Sequence, residues 1–160
     1  MAQSADPCTL TSSIVVGRDV SECWDLYVDN LKVPKWAPAV LDIESDSPTL
    51  VLGGTRKSHI FVDGKTGYTI KKCTELNLLK RIEFSVIEET FGFAHMLNAY
   101  GVSVSFDVEG SDTLLVMETH YIPKKIFASL MTAHSTQQQL VNLMAVQLEG
   151  FKSYAETVTG

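Results

Sequence analysis

The sequence lacks the features of several large classes of protein. Thirteen Lys and Arg residues are outnumbered by nineteen Asp and Glu residues, which gives a net charge of −6 and leaves no basic cluster. Because binding to a phosphate backbone requires a concentrated basic surface, nucleic acid is excluded as an expected partner. No apolar run approaches the ~18–20 residues that cross a bilayer, and residues 1–7 do not resemble a signal peptide. We therefore expect a cytoplasmic protein without stable membrane insertion.

Cysteine is scarce, and the sequence has no motif of the common catalytic or metal sites. Cys8, Cys23 and Cys73 are an odd set without a CxxC pair, which argues against a disulfide framework and a zinc site. The histidines show no ligand spacing, and Glu118 and His120 are expected to be a solvated cross-strand pair, because metal sites need three or four convergent ligands. GxSxG and glycine-rich phosphate loops are also missing. Neither a metal nor a cofactor is expected.

The N-terminal part of the chain predicts a strand followed by a helix. No repeat, low-complexity stretch or linker divides the sequence, so a single domain over residues 1–160 is expected, with residues 1–8 as a loose tail. The β-branched residues 9–16 favour a first strand. Asp19 and Glu22 have the spacing of a capping box at the start of a helix.

The middle of the chain predicts antiparallel strands. Residues 30–38 are rich in proline and indicate a second short helix or an irregular corner. Asp63-Gly64 is a strong hairpin signal. Residues 100–108 alternate between apolar and other residues, which is typical of a half-buried strand. Further strands are predicted near residues 40–43, 55–62, 68–74, 82–86 and 113–122.

The C-terminal part predicts one long helix. Ser135 and Gln138 have capping-box spacing, and Gly150 inside the helix favours a bend or close packing. An apolar stripe follows at helical spacing through Leu140, Met144, Leu148, Phe151 and Ala155. The expected fold is α+β: a curved six- to seven-stranded antiparallel sheet wrapped around this helix, with two short helices after strand 1. One helix cannot fill the concave side of such a sheet, so an apolar cavity that binds a ligand is expected.

Several short motifs are informative through their order. They are Ser13-Ile14-Val15-Val16, Trp24-Asp25, Pro34-x-Trp36-x-Pro38, Gly53-Gly54-Thr55-Arg56 and the long final helix. Together they resemble the START-like superfamily, also called SRPBCC, over residues 9–157. That superfamily includes polyketide cyclases, lipid-transfer domains and the birch-pollen-allergen group. The resemblance implies a helix-grip fold with an internal hydrophobic cavity.

Within this superfamily the chain is most similar to the small aromatase/cyclases of aromatic polyketide synthesis. The similar segments are Phe93-Ala94-His95-Met96 and Met131-Thr132-Ala133-His134. The resemblance places Lys72 near a cavity arginine of that family, Tyr100 near a cavity tryptophan and Thr119 near a pocket glutamine. Val40 stands where the family has a pocket tyrosine, and valine cannot donate a hydrogen bond. The resemblance as a whole implies a cofactor-independent cyclase or dehydrase, and Val40 is a departure from that pattern.

Strand alternation indicates which polar groups would face the cavity. Asn98 and Tyr100 share one face with Val102, although Tyr100 is alternatively a core residue whose hydroxyl is satisfied. Of Lys71 and Lys72, one must point outward. An ammonium facing the cavity would anchor a carboxylate, a phenolate or the enolate that aldol cyclisation requires.

Lys72 is the candidate on which we settle, because it shares a face with Tyr68 and Ile70. Arg56 is a second candidate anchor, and His134 is a candidate general base before the long helix. The predicted catalytic residues are Lys72, Tyr100 and His134. The predicted ligand-binding residues are Trp36, Arg56, Tyr68, Ile70, Phe84, Asn98, Val102, Met117, Thr119, Tyr121, Leu140 and Met144.

Three functions are compatible with this pattern. The first is a carrier that binds a small hydrophobic molecule, whether aromatic, polyketide-like or lipid-like. The second is an enzyme that cyclises, dehydrates or isomerises such a molecule. The third is an interaction domain whose cavity is filled by its own side chains. A monomer and a weak homodimer are equally compatible with the sequence, which shows no coiled-coil pattern.

Overall fold

A computed structural model describes residues 3–158. These residues form a curved, fully antiparallel, seven-stranded sheet in the order β1-β7-β6-β5-β4-β3-β2. The strands are β1 (Cys8–Val16), β2 (Val40–Ser45), β3 (Thr55–Val62), β4 (Lys65–Asn77), β5 (Arg81–Glu89), β6 (Leu97–Glu109) and β7 (Asp112–Pro123). The helices are α1 (Val20–Val28), α2 (Val33–Trp36), α3 (Ala128–Thr132) and α4 (His134–Thr157). The predicted α+β class and element order are confirmed.

Of the two predicted helix caps, the structure confirms the one at Asp19 and contradicts the one at Ser135. The Asp19 side chain accepts a hydrogen bond from the Glu22 amide at 2.8 Å, so the N-cap of α1 is as predicted. The cap predicted at Ser135 is wrong, because α4 already begins at His134. A single extended residue, Ala133, separates α3 from α4, and its carbonyl accepts the first helical bond from the Gln137 amide. The chain reversal there sets the helix start, and no side chain caps it.

The β3–β4 hairpin uses the turn that the sequence indicates. Asp63 and Gly64 both have positive φ values, 51° and 77°, as a two-residue turn of type I′ requires. Val62 pairs with Lys65 directly across the turn. This turn fixes the register of the two strands and therefore decides which of their residues face inward.

The N-terminal segment differs from the loose tail that we expect. Ser4 forms a β-bridge with Lys124, and the Ala5 amide donates to the Pro123 carbonyl at 2.9 Å. The backbone of residues 3–5 therefore finds hydrogen-bond partners just beyond the end of β7. Residues 1 and 2 lie outside the described residues.

The concave face of the sheet is covered by α4 and by the two short helices after β1. The five residues of the predicted stripe on α4 are buried: Leu140, Met144, Leu148, Phe151 and Ala155. An aromatic cluster lies beside this stripe and consists of Trp24, Tyr27, Trp36, Phe106 and Phe151, with ring centroids 5.2–5.6 Å apart. Aromatic rings at such separations contribute more than their buried area alone. Much of the concave space is therefore filled from α1 and α2.

Gly150 lets α4 approach the corner after α2. A Cβ atom added at Gly150 would overlap the carbonyl oxygen of Trp36 and lie 3.1 Å from Cδ of Pro38. The close packing expected from a glycine in the helix is confirmed. The contact joins α4 directly to the residues that form one wall of the cavity described next.

Candidate functional site

A small cavity lies between the concave face of the sheet, α2 and α4. Its floor comes from β3–β6, its wall includes Val33 and Trp36 of α2, and Gln147 of α4 closes it. The volume is about 50 Å³. Since one water molecule takes up ~30 Å³ of the liquid, this is room for one or two waters. The cavity expected from the element order is present, and it is small because the aromatic side chains of α1 and α2 occupy most of the concave space.

Arg56 enters the cavity from β3 and is 5% exposed. Its Nε donates to Oδ1 of Asn30 at 2.9 Å, and its Nη2 donates to the Tyr27 carbonyl at 3.3 Å. The guanidinium carbon lies 5.3 Å from the centroid of the Phe84 ring, within the range of a cation–π contact. Burial lowers the pKa of Arg56, but an arginine remains charged at any physiological pH. The cavity therefore contains a permanent positive charge.

Lys71 supplies a second cation to the same cavity. It is the direct cross-strand partner of Arg56, and its Nζ lies 5.9 Å from the Phe84 ring centroid. Burial and the charge of Arg56 together lower the pKa of Lys71 to about 8. Two positive charges thus flank one phenyl ring, Arg56 buried and Lys71 half-buried.

Two polar atoms in this region are buried without a partner among residues 3–158. They are Nε1 of Trp36 and Oγ1 of Thr69. Both residues line the cavity. A buried donor without an acceptor costs about 1–3 kcal/mol, so an acceptor that enters the cavity would recover this energy.

The structure places the predicted anchor Lys72 on the other face of β4. Lys72 is exposed, and Tyr68 and Ile70 share its face, as their spacing indicates. That face is the outer one, since the Tyr68 hydroxyl donates to the Glu88 carboxylate and Lys57 Nζ lies 4.3 Å from its ring centroid. The face assigned to Lys72, Tyr68 and Ile70 is thus wrong, while their shared parity is confirmed. Lys71, the alternative left open, is the residue that lines the cavity.

The remaining predicted residues divide between the cavity and the core. Trp36, Arg56, Phe84 and Val102 line the cavity. Met117, Thr119 and Met144 are buried beside it, and Oγ1 of Thr119 donates to the sulfur of Met144 at 3.2 Å. Tyr121 and Leu140 belong to a second core cluster with Tyr100 packed against it. The residues of this second group therefore pack in the core and do not line the cavity.

The other predicted polar residues lie away from the cavity. The Tyr121 hydroxyl donates to the Met131 carbonyl at 2.7 Å, and burial raises the pKa of Tyr100 to about 12. The Asn98 amide donates to the Ser4 hydroxyl at 2.7 Å, at a point where the β6–β7 register shifts. His134 is exposed at the first residue of α4. Lys72, Tyr100 and His134 therefore do not converge on one site.

Sequence reasoning missed Ser58, Thr69 and Gln147 as lining residues. Ser58 pairs with Thr69 across β3 and β4, one step along from the Arg56–Lys71 pair. The hairpin at Asp63-Gly64 fixes this register, so the sequence did contain a signal that Arg56, Ser58, Thr69 and Lys71 share one face.

A larger recess lies on the outer face of the sheet and is separate from this cavity. It is an open groove of about 480 Å³ around Gly101, between Ser85 and His120. His120 is held there by contacts to the hydroxyls of Thr9 and Ser103 at 3.2 and 3.3 Å. The groove contains neither Arg56 nor Lys71, and it is open to solvent, so the enclosed cavity is the better candidate.

The lowered pKa of Lys71 predicts that this residue destabilises the empty protein. Its pKa falls from 10.5 to about 8, so between these values the unfolded chain binds more protons and stability rises with pH. Below pH 8 the full cost of burying the charge is present. We expect Lys71→Met to be more stable than the wild type at pH 7, with a difference that shrinks as the pH rises towards 10. Urea denaturation from pH 7 to 10 measures it.

The control is Lys72→Met, one residue away on the exposed face. It should show neither the stabilisation at pH 7 nor the change with pH. A Lys71→Met variant whose stability differs from the wild type by the same amount at every pH would contradict the assignment.

Comparisons of the sequence with protein families and with curated proteins give no match. No protein-family model matches the chain, and a search of curated protein sequences finds no match.

Among residues 3–158, no group of three or more His, Cys, Asp or Glu is arranged to hold a metal. No helix in the same range is long and apolar enough to cross a membrane.

Solved structures superpose on nearly the whole chain at low sequence identity. Ara h 8.0201 is 15% identical with a TM-score of 0.76, covering 96% of this chain and 100% of its own. Norcoclaurine synthase from Thalictrum flavum, in complex with dopamine and hydroxybenzaldehyde, is 12% identical with a TM-score of 0.77, covering 99% and 91%. A START superfamily protein from Mycobacterium smegmatis is 9% identical with a TM-score of 0.73, covering 94% and 99%. Together with the sheet order and the long final helix, these likenesses show that the chain has the START-like, or SRPBCC, helix-grip fold.

Proposed function

We propose that this protein binds a small, largely apolar molecule in the cavity between α2, α4 and the inner face of the sheet. The observation that carries the proposal is the pair of buried, unpartnered polar atoms, Trp36 Nε1 and Thr69 Oγ1, in a wall that combines apolar side chains with a few polar ones. Small-molecule sites are typically apolar with a few polar groups that fix orientation. A ligand that accepts hydrogen bonds from both atoms would recover the cost of their burial.

The ligand must widen the cavity when it binds. Typical ligand pockets measure ~300–1,000 Å³, several times the space present here. The wall offers two elements for such a movement: α2, which has only four residues, and the side chain of Gln147 on α4. A protein of the same fold, the norcoclaurine synthase, was solved with dopamine and hydroxybenzaldehyde. That complex supports the proposal that this fold admits molecules with a single aromatic ring.

Binding is favoured over cyclase or dehydrase activity. The residues predicted to catalyse such a reaction, Lys72, Tyr100 and His134, lie on the outer face, in the second core cluster and at the start of α4. General acid–base catalysis requires groups within hydrogen-bond reach of one substrate. Since these three do not meet, binding needs fewer assumptions than turnover.

Filling the cavity tests the proposal. Val102 lines the cavity from β6, and a Val102→Phe substitution places a ring where the ligand would lie. The neutral fluorophore N-phenyl-1-naphthylamine serves as the probe, with affinity measured by fluorescence titration. We expect the wild type to bind it, and Val102→Phe to weaken binding at least tenfold.

Val108→Phe is the matched control, because Val108 is on the same strand and exposed. It should bind the probe as the wild type does. If the wild type excludes the fluorophore, the space is a filled core and the proposal fails. Equal binding by wild type and Val102→Phe would place the probe elsewhere and would also overturn the proposal. If the wild type binds the fluorophore and Val102→Phe does not, mass spectrometry of the natively purified protein would identify a co-purifying ligand.

A further inference from the structure

The cavity has two cations among its lining residues. Arg56 and Lys71 are direct partners across β3 and β4, and both lie over the Phe84 ring. Neither forms an ion pair with any residue in the range 3–158. Within residues 3–158, no Asp or Glu lines the cavity. Buried charges in proteins are normally paired, so this pair lacks its counterion.

Three of the side chains that line the cavity, Arg56, Lys71 and Trp36, can donate hydrogen bonds but cannot accept them. Arginine, lysine and the tryptophan indole can only donate hydrogen bonds. The Arg56 contacts use Nε and Nη2, which leaves Nη1 without a partner in the described part of the chain. Trp36 Nε1 is buried without an acceptor as well. A ligand that satisfies these groups must therefore supply acceptors and negative charge.

We infer that the ligand carries an anionic head group, a carboxylate or a phenolate, which sits between Arg56 and Lys71 and accepts a hydrogen bond from Trp36 Nε1. This inference rests on the proposed function and adds the chemical class of the ligand. The apolar part of the ligand packs against Phe84 and Val102. The anion takes the place of the missing counterion, and its charge-assisted hydrogen bonds are about twice as strong as neutral ones.

The same geometry couples binding to protonation of Lys71. The titratable groups beside it are Arg56 on β3, Tyr27 on α1 and Cys73 on β4; Phe84 on β5 and Gln147 on α4 are uncharged. Burial raises the pKa of Tyr27 to about 12 and that of Cys73 above its ordinary value. Lys71, with a pKa of about 8, is therefore the group that changes charge between pH 7 and 9. An anion binds the charged form better, so its affinity falls as the pH rises through this range.

The test compares two probes of nearly equal shape, 2-naphthoate and 2-naphthamide, by titration calorimetry. The wild type should bind the naphthoate at least tenfold more tightly at pH 6.5. Lys71→Met should weaken naphthoate binding about 10- to 100-fold, as expected for loss of a charged hydrogen-bond partner, and leave naphthamide binding within a factor of about two. Lys71→Arg, which keeps the charge, should retain most of the preference. Lys72→Met, on the outer face, is the control and should match the wild type.

The pH dependence of the wild type gives a readout that needs no variant. Its affinity for naphthoate should fall several-fold between pH 7 and 9, while its affinity for naphthamide stays constant; carboxylates remain ionised throughout this range. Equal affinity for the two probes would overturn the anionic head group and leave the proposed function intact. A naphthoate preference that survives Lys71→Met and is independent of pH would also overturn it. Failure of both probes to bind would instead count against the proposed function itself.

Discussion

Truncation of Trp36 to alanine is expected to lower the free energy of unfolding by about 3–5 kcal/mol, the range for removing a buried aromatic side chain. Trp36 is 4% exposed and packs against two rings, with centroids 5.2 Å from those of Tyr27 and Phe151. It therefore joins α2 to both α1 and α4. Urea denaturation of the variant at pH 7 measures the effect.

Trp36→Phe separates packing from the indole N–H. Phenylalanine keeps a ring in the cluster and removes the unpartnered donor but is smaller than tryptophan, so we expect a loss of about 1–2 kcal/mol, smaller than that of Trp36→Ala. The same variant should bind 2-naphthoate more weakly, since the indole N–H would be the donor lost. If Trp36→Phe were as unstable as Trp36→Ala, the N–H would have a partner that the geometry does not show.

Gly150→Ala is expected to destabilise the protein although alanine is the better helix former. The added methyl group meets the carbonyl oxygen of Trp36 and Cδ of Pro38, and a backbone oxygen cannot rotate away. Overpacking costs about 1–3 kcal/mol or more and exceeds the ~1 kcal/mol that alanine gains in an exposed helix. We expect a net loss of about 2 kcal/mol, which lowers the melting temperature by about 4–8 °C in a protein of this size.

Glu149→Ala is the control for this substitution, because Glu149 is the preceding, exposed position on the same helix. It should change the melting temperature by less than about 2 °C. A Gly150→Ala variant that melts higher than the wild type would show that α4 has room to shift away from the corner after α2. Thermal unfolding followed by circular dichroism decides between these outcomes.

The fold was predictable because its signals are local and repeated. The stripe on α4 recurs over about four turns, and Asp63-Gly64 demands one particular turn, so the helix and the central hairpin follow from the residues themselves. The order of elements then leaves few ways to bury the sheet. The start of α4 was less predictable, since an S-x-x-Q pattern inside the first turn looks like a cap.

The site was harder to predict. Alternation along a strand shows which residues share a face of the sheet, but it does not show which face is the inner one. Tyr68 and Ile70 are the larger apolar residues of β4, and their face looks like the buried one. In the structure they stay on the outer face, where Lys57, Glu88 and His59 contact Tyr68. The inner face instead carries Thr69, Lys71 and Cys73, two of which are polar. Polar residues on the inner face reverse the pattern that sequence reasoning relies on.

The size of the cavity could not be read from the order of elements. A count of helices suggests that one long helix leaves the concave side empty. The volume depends on side chains, and α1 and α2 carry Trp24, Tyr27 and Trp36 into that space. Whether three aromatic rings point inward depends on the tertiary position of two short helices, which no local pattern specifies.

The pairing of β1 with β7 has a consequence for how the chain is made. Val16 lies opposite Thr113, so β1, which leaves the ribosome before the other six strands, has no partner until β7 has followed. At roughly 5–20 residues per second, β1 waits on the order of 5–20 seconds with its backbone unpaired, while β3 and β4 can already form a hairpin. The nascent chain thus carries an open strand during this interval, and β1 can pair with β7 only shortly before α3 and α4 are made.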